Sequence, residues 1–219
     1  MITVILVNKN RDINRVNNCI NSLKNQNCKI ILVDFGSNEE ILLLERLLPV
    51  NLIEVKNNTK IFNKCRALNI GLKQAKTKYV LFSDIDCIFS NNFINETIKA
   101  LQKNKKIIVL SQKIDLDKTN KETNLHEPSA SGSCIAIKTN WAKKVHGFDE
   151  IYTFWGREDN DFVNRAMQDG FEDIWITNKI KLWHQWHELP DTRSLNRNII
   201  YYEKLNKPII RNSNNWGQL

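Results

Sequence analysis

The apolar run Tyr79-Val80-Leu81-Phe82 leads directly into Ser83-Asp84-Ile85-Asp86, and no other stretch of the chain constrains its fold as tightly. A buried strand that delivers two carboxylates at its end suits a metal seated at the edge of an α/β sheet. On an extended chain side chains alternate faces, so Asp84 and Asp86, two apart, are expected to reach one hard cation and the phosphates it carries. The alternative is an acidic turn that closes the strand, since Asp is common in turns.

Strand and helix patterns alternate through the first half. Ile2 to Val7 reads as a strand, Ile13, Val16, Ile20 and Leu23 recur at helical spacing, and Ile30 to Val33 reads as a second strand ending in Asp34-Phe35-Gly36-Ser37. A helix through Ile41, Leu44 and Leu48 follows, then a strand at Leu52 to Val55, a helix after Asn63, and the strand that ends at the Asp pair. The alternation predicts an α/β fold with a mostly parallel sheet, helices on both faces, and a ligand site at the carboxyl ends of the strands. Asp34, Asp84 and Asp86 fall at that edge. Farther on, Ile107 to Leu110 and Ser133 to Ile137 read as strands and Asp159 to Gln168 as a helix. The polar, Lys-rich segment 112–131 reads as a mobile excursion over the site.

A chain of 219 residues can bury a full core, and seven Gly with four Pro leave no long flexible linker. One compact domain is expected, with a nucleotide-binding half at about 1–110, an acceptor half at about 111–190 and a C-terminal extension at about 191–219. The opening Met1-Ile2-Thr3-Val4-Ile5-Leu6-Val7 has no basic leader or small-residue cleavage site and reads as the first strand, not a signal peptide. No stretch approaches the length of a membrane span. The five Cys are odd in number and never spaced Cys-x-x-Cys, which argues against a disulfide framework or zinc site and for a reducing, cytoplasmic setting. The net charge of +8 is spread over dispersed Lys with no aromatic-and-basic module, so no nucleic-acid partner is expected. Anionic donors, acidic glycans and peripheral contact with a phospholipid surface stay open.

The remaining motifs are Asn63-Lys64-Cys65-Arg66-Ala67-Leu68-Asn69-Ile70-Gly71, Gly147-Phe148-Asp149-Glu150, Phe154-Trp155-Gly156-Arg157-Glu158-Asp159, and the pair His184 and His187. With the Asp pair, in this order and spacing, they make the chain resemble the metal-dependent glycosyltransferases of the GT-A fold. The nearest likeness is to family 2 and to the galactosyltransferase and chondroitin-polymerase types that carry a Trp-Gly-x-Glu-Asp segment. It runs from about Ile2 to His187. The resemblance implies a Rossmann-like GT-A sheet and inverting transfer of a hexose or N-acetylhexosamine from a UDP-sugar to a glycan or other hydroxyl acceptor.

It also implies roles. Asp34 would bind the nucleotide base, Arg11 and Arg66 the donor, and Asp84 and Asp86 the divalent ion that bridges the diphosphate. A histidine after the Glu-Asp helix would complete the metal shell, His184 first with His187 as the alternative, and an imidazole among oxygens favours Mn²⁺ over Mg²⁺. His126 and His146 read as ordinary surface or packed residues. Asp159 matches the general base, held ionised by the helix start, and Glu158 its neighbour, while Trp155 offers a flat face to a sugar ring. Asp161 and Arg165 read as an ion pair. Departures from the pattern are His146 and Arg157, which stand where the family often has Gly. A sugar-nucleotide nucleotidyltransferase is the alternative enzyme, but Asn8-Lys9-Asn10-Arg11-Asp12 lacks the Gly-rich loop such enzymes carry after the first strand. A catalytically idle glycan-binding protein of the same fold is the other alternative.

Overall fold

The computed structural model describes residues 1–56, 61–126, 134–176, 180–188, 192–204 and 208–218. Strand β1 (Ile2–Asn8) is buried at every position, as a strand covered on both faces must be. It pairs in parallel with β2 (Cys28–Asp34) and β4 (Tyr79–Ser83), and β2 pairs in parallel with β3 (Asn51–Glu54). β9 (Cys134–Lys138) runs antiparallel between β4 and β6 (Ile107–Leu110), and β10 (Glu172–Trp175) adds in parallel to β6. The order is β10-β6-β9-β4-β1-β2-β3, a mostly parallel α/β sheet.

The period of two along β1 divides the core. Ile2, Val4 and Leu6 pack with α1 (Ile13–Leu23) and α4 (Phe93–Leu101), whereas Ile5 and Val7 pack with α3 (Lys64–Gln74), α5 (Thr139–Lys144) and α6 (Glu158–Gln168). Helix α2 (Glu39–Glu45) precedes β3. Asp12 caps α1 by accepting from the Asn14 and Arg15 amides, and Asn63 caps α3 by accepting from the Arg66 amide at 2.8 Å. Gly71 lets α3 press onto the sheet, because a Cβ there would sit 2.6 Å from Ile5 Cγ2. The pair Asp161–Arg165 forms at 2.8 Å, and it is fully buried, with Arg165 also donating to the carbonyls of Gly147 and Ile209.

Segment 112–131 is not a loose excursion over its described part. Residues 114–125 form a hairpin of β7 (Ile114–Leu116) and β8 (Glu122–Leu125), turned by Asp117, whose Oδ1 accepts from the Thr119 and Lys121 amides. Such a side-chain turn closes a hairpin within a polar, Lys-rich segment whose composition alone shows no strand. Residues 127–131, like Ser133, lie outside the described residues. β7 belongs to a second sheet of order β5-β11-β7-β8, with β5 (Cys87–Phe89) and β11 (Leu182–His184). After it, α7 (Leu195–Glu203) and residues 208–218 brace the approach to α6: Asn198 Nδ2 donates to the carbonyls of Thr153 and Trp155, and Tyr201 donates to Asp149 at 2.7 Å. All five cysteines are free thiols, and among the described residues no helix is long and apolar enough to cross a membrane.

Candidate active site and metal centre

β1, β2 and β4 end side by side, so Arg11, Asp34, Asp84 and Asp86 gather at one edge of the main sheet. The Asp pair does not share a face. β4 ends at Ser83, and the chain then turns, with the Cys87 amide donating to the Asp84 carbonyl at 3.3 Å. Alternation holds only along an extended strand, and in this turn the two carboxylates diverge.

Asp86 is buried and meets two imidazoles. His184 Nε2 lies 3.6 Å from its Oδ1 and His187 Nε2 lies 3.4 Å from its Oδ2, with Arg11 Nη2 also 3.2 Å from Oδ2. One ligand atom from each of Asp86, His184 and His187 falls within 4.8 Å of the others. Asp86 Oδ1 accepts no hydrogen bond from the described residues although it is buried, an orphaned acceptor that a cation would satisfy. His184 Nδ1 donates to Asp115 at 2.9 Å, and His187 Nδ1 donates to the Glu188 carbonyl, so both Nε2 lone pairs are left for a metal. The donor set therefore fits a divalent ion, and it joins both histidines where one alone was expected. Burial, ahead of the Arg11 charge, lowers the His187 pKa and favours the neutral, ligating form.

Asp84 belongs to a second group. Its Oδ1 is 2.7 Å from Lys64 Nζ, which also lies 3.4 Å from Glu158 Oε1 and 3.7 Å from Asp159 Oδ2. Burial disfavours the Lys64 ammonium, yet the carboxylates of Asp159, Asp84 and Glu158 outweigh it and lift the pKa well above the usual lysine range. Burial works against the Asp84 carboxylate too, but Lys64 prevails and holds its pKa low. Asp159 goes the other way: burial, then Glu158 and Asp84 against the pull of Lys64, raises it well above the usual carboxylate range. The helix start does not keep Asp159 an ordinary ionised acid as its position suggested; desolvation and two acidic neighbours override the dipole.

The other expected residues take distinct places. Glu158 is buried and folds back to accept from the Gly156 amide at 3.0 Å. Trp155 is half exposed and leaves an open indole face. Arg66 Nε donates to the Gln218 carbonyl at 3.3 Å, and it is Lys64, two residues earlier, that enters the acidic group. Asp34 is buried; its Oδ1 accepts from the Gly36 and Ser37 amides, and its Oδ2 accepts nothing from the described residues. Behind it, burial and Asp34, opposed by a hydrogen bond from Asn8, push Glu45 up to about 8. His146 (φ 60°) and Arg157 (φ 71°) adopt the left-handed backbone that Gly takes most easily. His126 is not an idle surface residue: its Nε2 donates to Asp115 at 2.6 Å.

A mostly parallel sheet with an acidic site at its carboxyl edge and a small second sheet across it is the GT-A glycosyltransferase architecture. The chain is similar to S. aureus TarS 1–349 in complex with UDP-GlcNAc (TM-score 0.66, 17% identity, covering 86% of this chain and 59% of that one). It is likewise similar to GalNAc-T7 with UDP, GalNAc and Mn²⁺ (TM-score 0.67, 15% identity, 85% and 44%). Residues 3–180 match glycosyl transferase family 2, and the chain belongs to that family. Beta-1,4-galactosyltransferase 1 is 28% identical over 114 residues in Bos taurus and 27% identical over 114 residues in Homo sapiens. The match covers 50% of this chain and 26% of each relative, so the chain spans only part of their length.

Proposed function

We propose that the protein is an inverting, metal-dependent glycosyltransferase that moves a hexose or N-acetylhexosamine from a UDP-sugar to a hydroxyl of a glycan or glycoconjugate. The observation that carries this reading is the orphaned, buried Asp86 Oδ1 facing two imidazole Nε2 atoms, beside a separate carboxylate group built on Lys64. Asp86, His184 and His187 would hold the ion, and imidazole ligation favours Mn²⁺. When bound, the ion offsets charge on the departing diphosphate.

The chain's own residues supply the rest. Asp34, at the end of β2, would accept from the base of UDP. Lys64, a cation on a flexible four-carbon stem, would turn from Asp84 toward a phosphate as charge develops there. Asp159 accepts the acceptor's hydroxyl proton as that oxygen attacks the anomeric carbon from the face opposite the diphosphate. Burial beside Glu158 and Asp84 raises its affinity for a proton, which makes it a stronger base than an exposed carboxylate. The open indole of Trp155 gives the incoming sugar a flat apolar surface. The Asn8 to Asp12 loop without Gly tells against nucleotidyl transfer, and a mere glycan binder has no use for a base and a metal group together.

A panel of UDP-sugars assayed for transfer and donor hydrolysis, with and without Mn²⁺, tests the reading. UDP and Mn²⁺ together should raise the melting temperature by more than the sum of either alone, and Asp86→Asn should weaken both ligands at once. Equal shifts in the presence of EDTA, or turnover of no UDP-sugar with any hydroxyl acceptor, would count against it.

A further inference from the structure

The metal reading leaves Asp115 and His126 unassigned, yet they are built into the same network. β11 pairs with β7 so that His184 stands opposite Asp115 in the ladder. His184 Nδ1 is 2.9 Å from Asp115 Oδ1, and His126 Nε2 is 2.6 Å from Asp115 Oδ2. His126 is itself fixed at the end of the hairpin, its amide donating to the Lys113 carbonyl at 3.0 Å and its carbonyl accepting from Gln112 Nε2 at 3.0 Å.

We propose that Asp115 is the positioning residue of the metal centre: it holds His184 as the Nδ1–H tautomer and aims its Nε2 lone pair at Asp86, while His126 clamps Asp115 from behind. This rests on reading Asp86, His184 and His187 as a divalent-metal site. A carboxylate offers only acceptors, so a ring nitrogen hydrogen-bonded to it carries the proton; Asp115 lies within that distance of Nδ1 at 2.9 Å, whereas Asp86 Oδ1, 3.6 Å from Nε2, does not, and in the neutral ring Nε2 is then free. A free imidazole side chain prefers the opposite tautomer, with the proton on Nε2. Asp115 reverses that preference before any metal arrives. His187 reaches the same state through a backbone carbonyl, which no side-chain substitution removes, so His184 is the ligand whose tautomer the chain sets by a side chain. Carboxylates that orient metal-ligating histidines in this way commonly govern affinity about 10- to 100-fold.

The test combines long-range ¹H–¹⁵N spectra of the metal-free protein at about pH 8 with calorimetry of Mn²⁺ binding in the presence of UDP. In the wild type, His184 is expected as the Nδ1–H tautomer. Asp115→Ala should convert it to Nε2–H and weaken Mn²⁺ about 10- to 100-fold, with His126→Ala causing a smaller loss of the same kind. Asp115→Asn, whose amide oxygen still accepts from Nδ1–H, should retain the tautomer and bind more tightly than Asp115→Ala. A wild-type His184 protonated on Nε2, or Asp115→Ala binding Mn²⁺ as tightly as the wild type, would overturn the inference and leave the metal reading intact. Failure of the wild type itself to bind Mn²⁺ with UDP would overturn both. Should Asp115→Ala not fold, the wild-type tautomer alone decides.

Discussion

Two acidic groups share one edge of the sheet, and their carboxylates meet different partners. Asp84, Glu158 and Asp159 surround Lys64, a cation that the chain provides from α3. Asp86 faces two imidazoles and keeps one buried oxygen without a donor. Lys64 serves all three carboxylates around it, whereas Arg11 reaches only Oδ2 of Asp86 and leaves the buried Oδ1 for an outside cation. In the proposed function the first group would hold and move protons and the second would bind a metal, with the turn after Ser83 separating Asp84 from Asp86. Glu45, behind Asp34, shows a third solution, in which a buried carboxyl simply keeps its proton.

The largest expected effect probes the proton-handling group. Asp159→Asn should cut transfer by about 10²- to 10⁴-fold while leaving UDP and Mn²⁺ binding near wild type, because it removes a proton acceptor and no diphosphate contact. Parallel transfer assays and calorimetry separate the two; wild-type transfer by this variant would shift the base to Glu158.

Lys64→Met should destabilise the fold by about 2–3 kcal/mol near pH 7, toward the low end for breaking a buried pair because the ammonium is partly exposed. Without the cation Asp84 loses the partner that holds its pKa low and Asp159 loses the pull that opposes its raised one, so the variant's deficit is small below the ordinary carboxylate range and grows as pH rises. Urea titrations at about pH 5 and pH 8 should show the larger loss at pH 8. A uniform loss would mean that Lys64 acts by packing and not by neutralising its neighbours.

Glu45→Gln should have a smaller effect of opposite sign. With its folded value near 8 and its unfolded value near 4.5, wild-type Glu45 contributes stability that is complete below the unfolded value and is lost as pH rises through the folded one. The neutral amide removes that dependence, and the variant should gain stability over the wild type near pH 8 and little near pH 4.5. Thermal melts across this range decide; a parallel pH dependence in the variant would place the proton elsewhere.

The main sheet was legible because its rules are local. The strand from Ile107 to Leu110 has the bounds its apolar run predicts, and α6 begins at Glu158, one residue before the predicted start at Asp159. The site was less so, because it depends on geometry that periodicity does not carry. Lys64 and Arg66 differ by two positions, about 200° around a helix, and the phase of α3 against the sheet decides which enters the acidic group. β5, β7 and β11 have three residues each, too short to show a period, and their pairing joins residues 87, 115 and 184 across most of the chain. Asp115 and His126 were consequently invisible as site residues until the register placed one opposite His184 and the other behind it. The spacing of His187 from His184 is visible in the sequence, but only the position of Asp86 shows that both rings face one point.

The division into two groups is tested most directly by electron spin-echo spectroscopy of Mn²⁺ bound with UDP. The account predicts modulation from two imidazole nitrogens in the wild type, from one in His184→Ala and in His187→Ala, and from two still in Asp159→Asn and Lys64→Met. Mn²⁺ with no nitrogen coupling, or a two-nitrogen signal that survives both histidine substitutions, would contradict it.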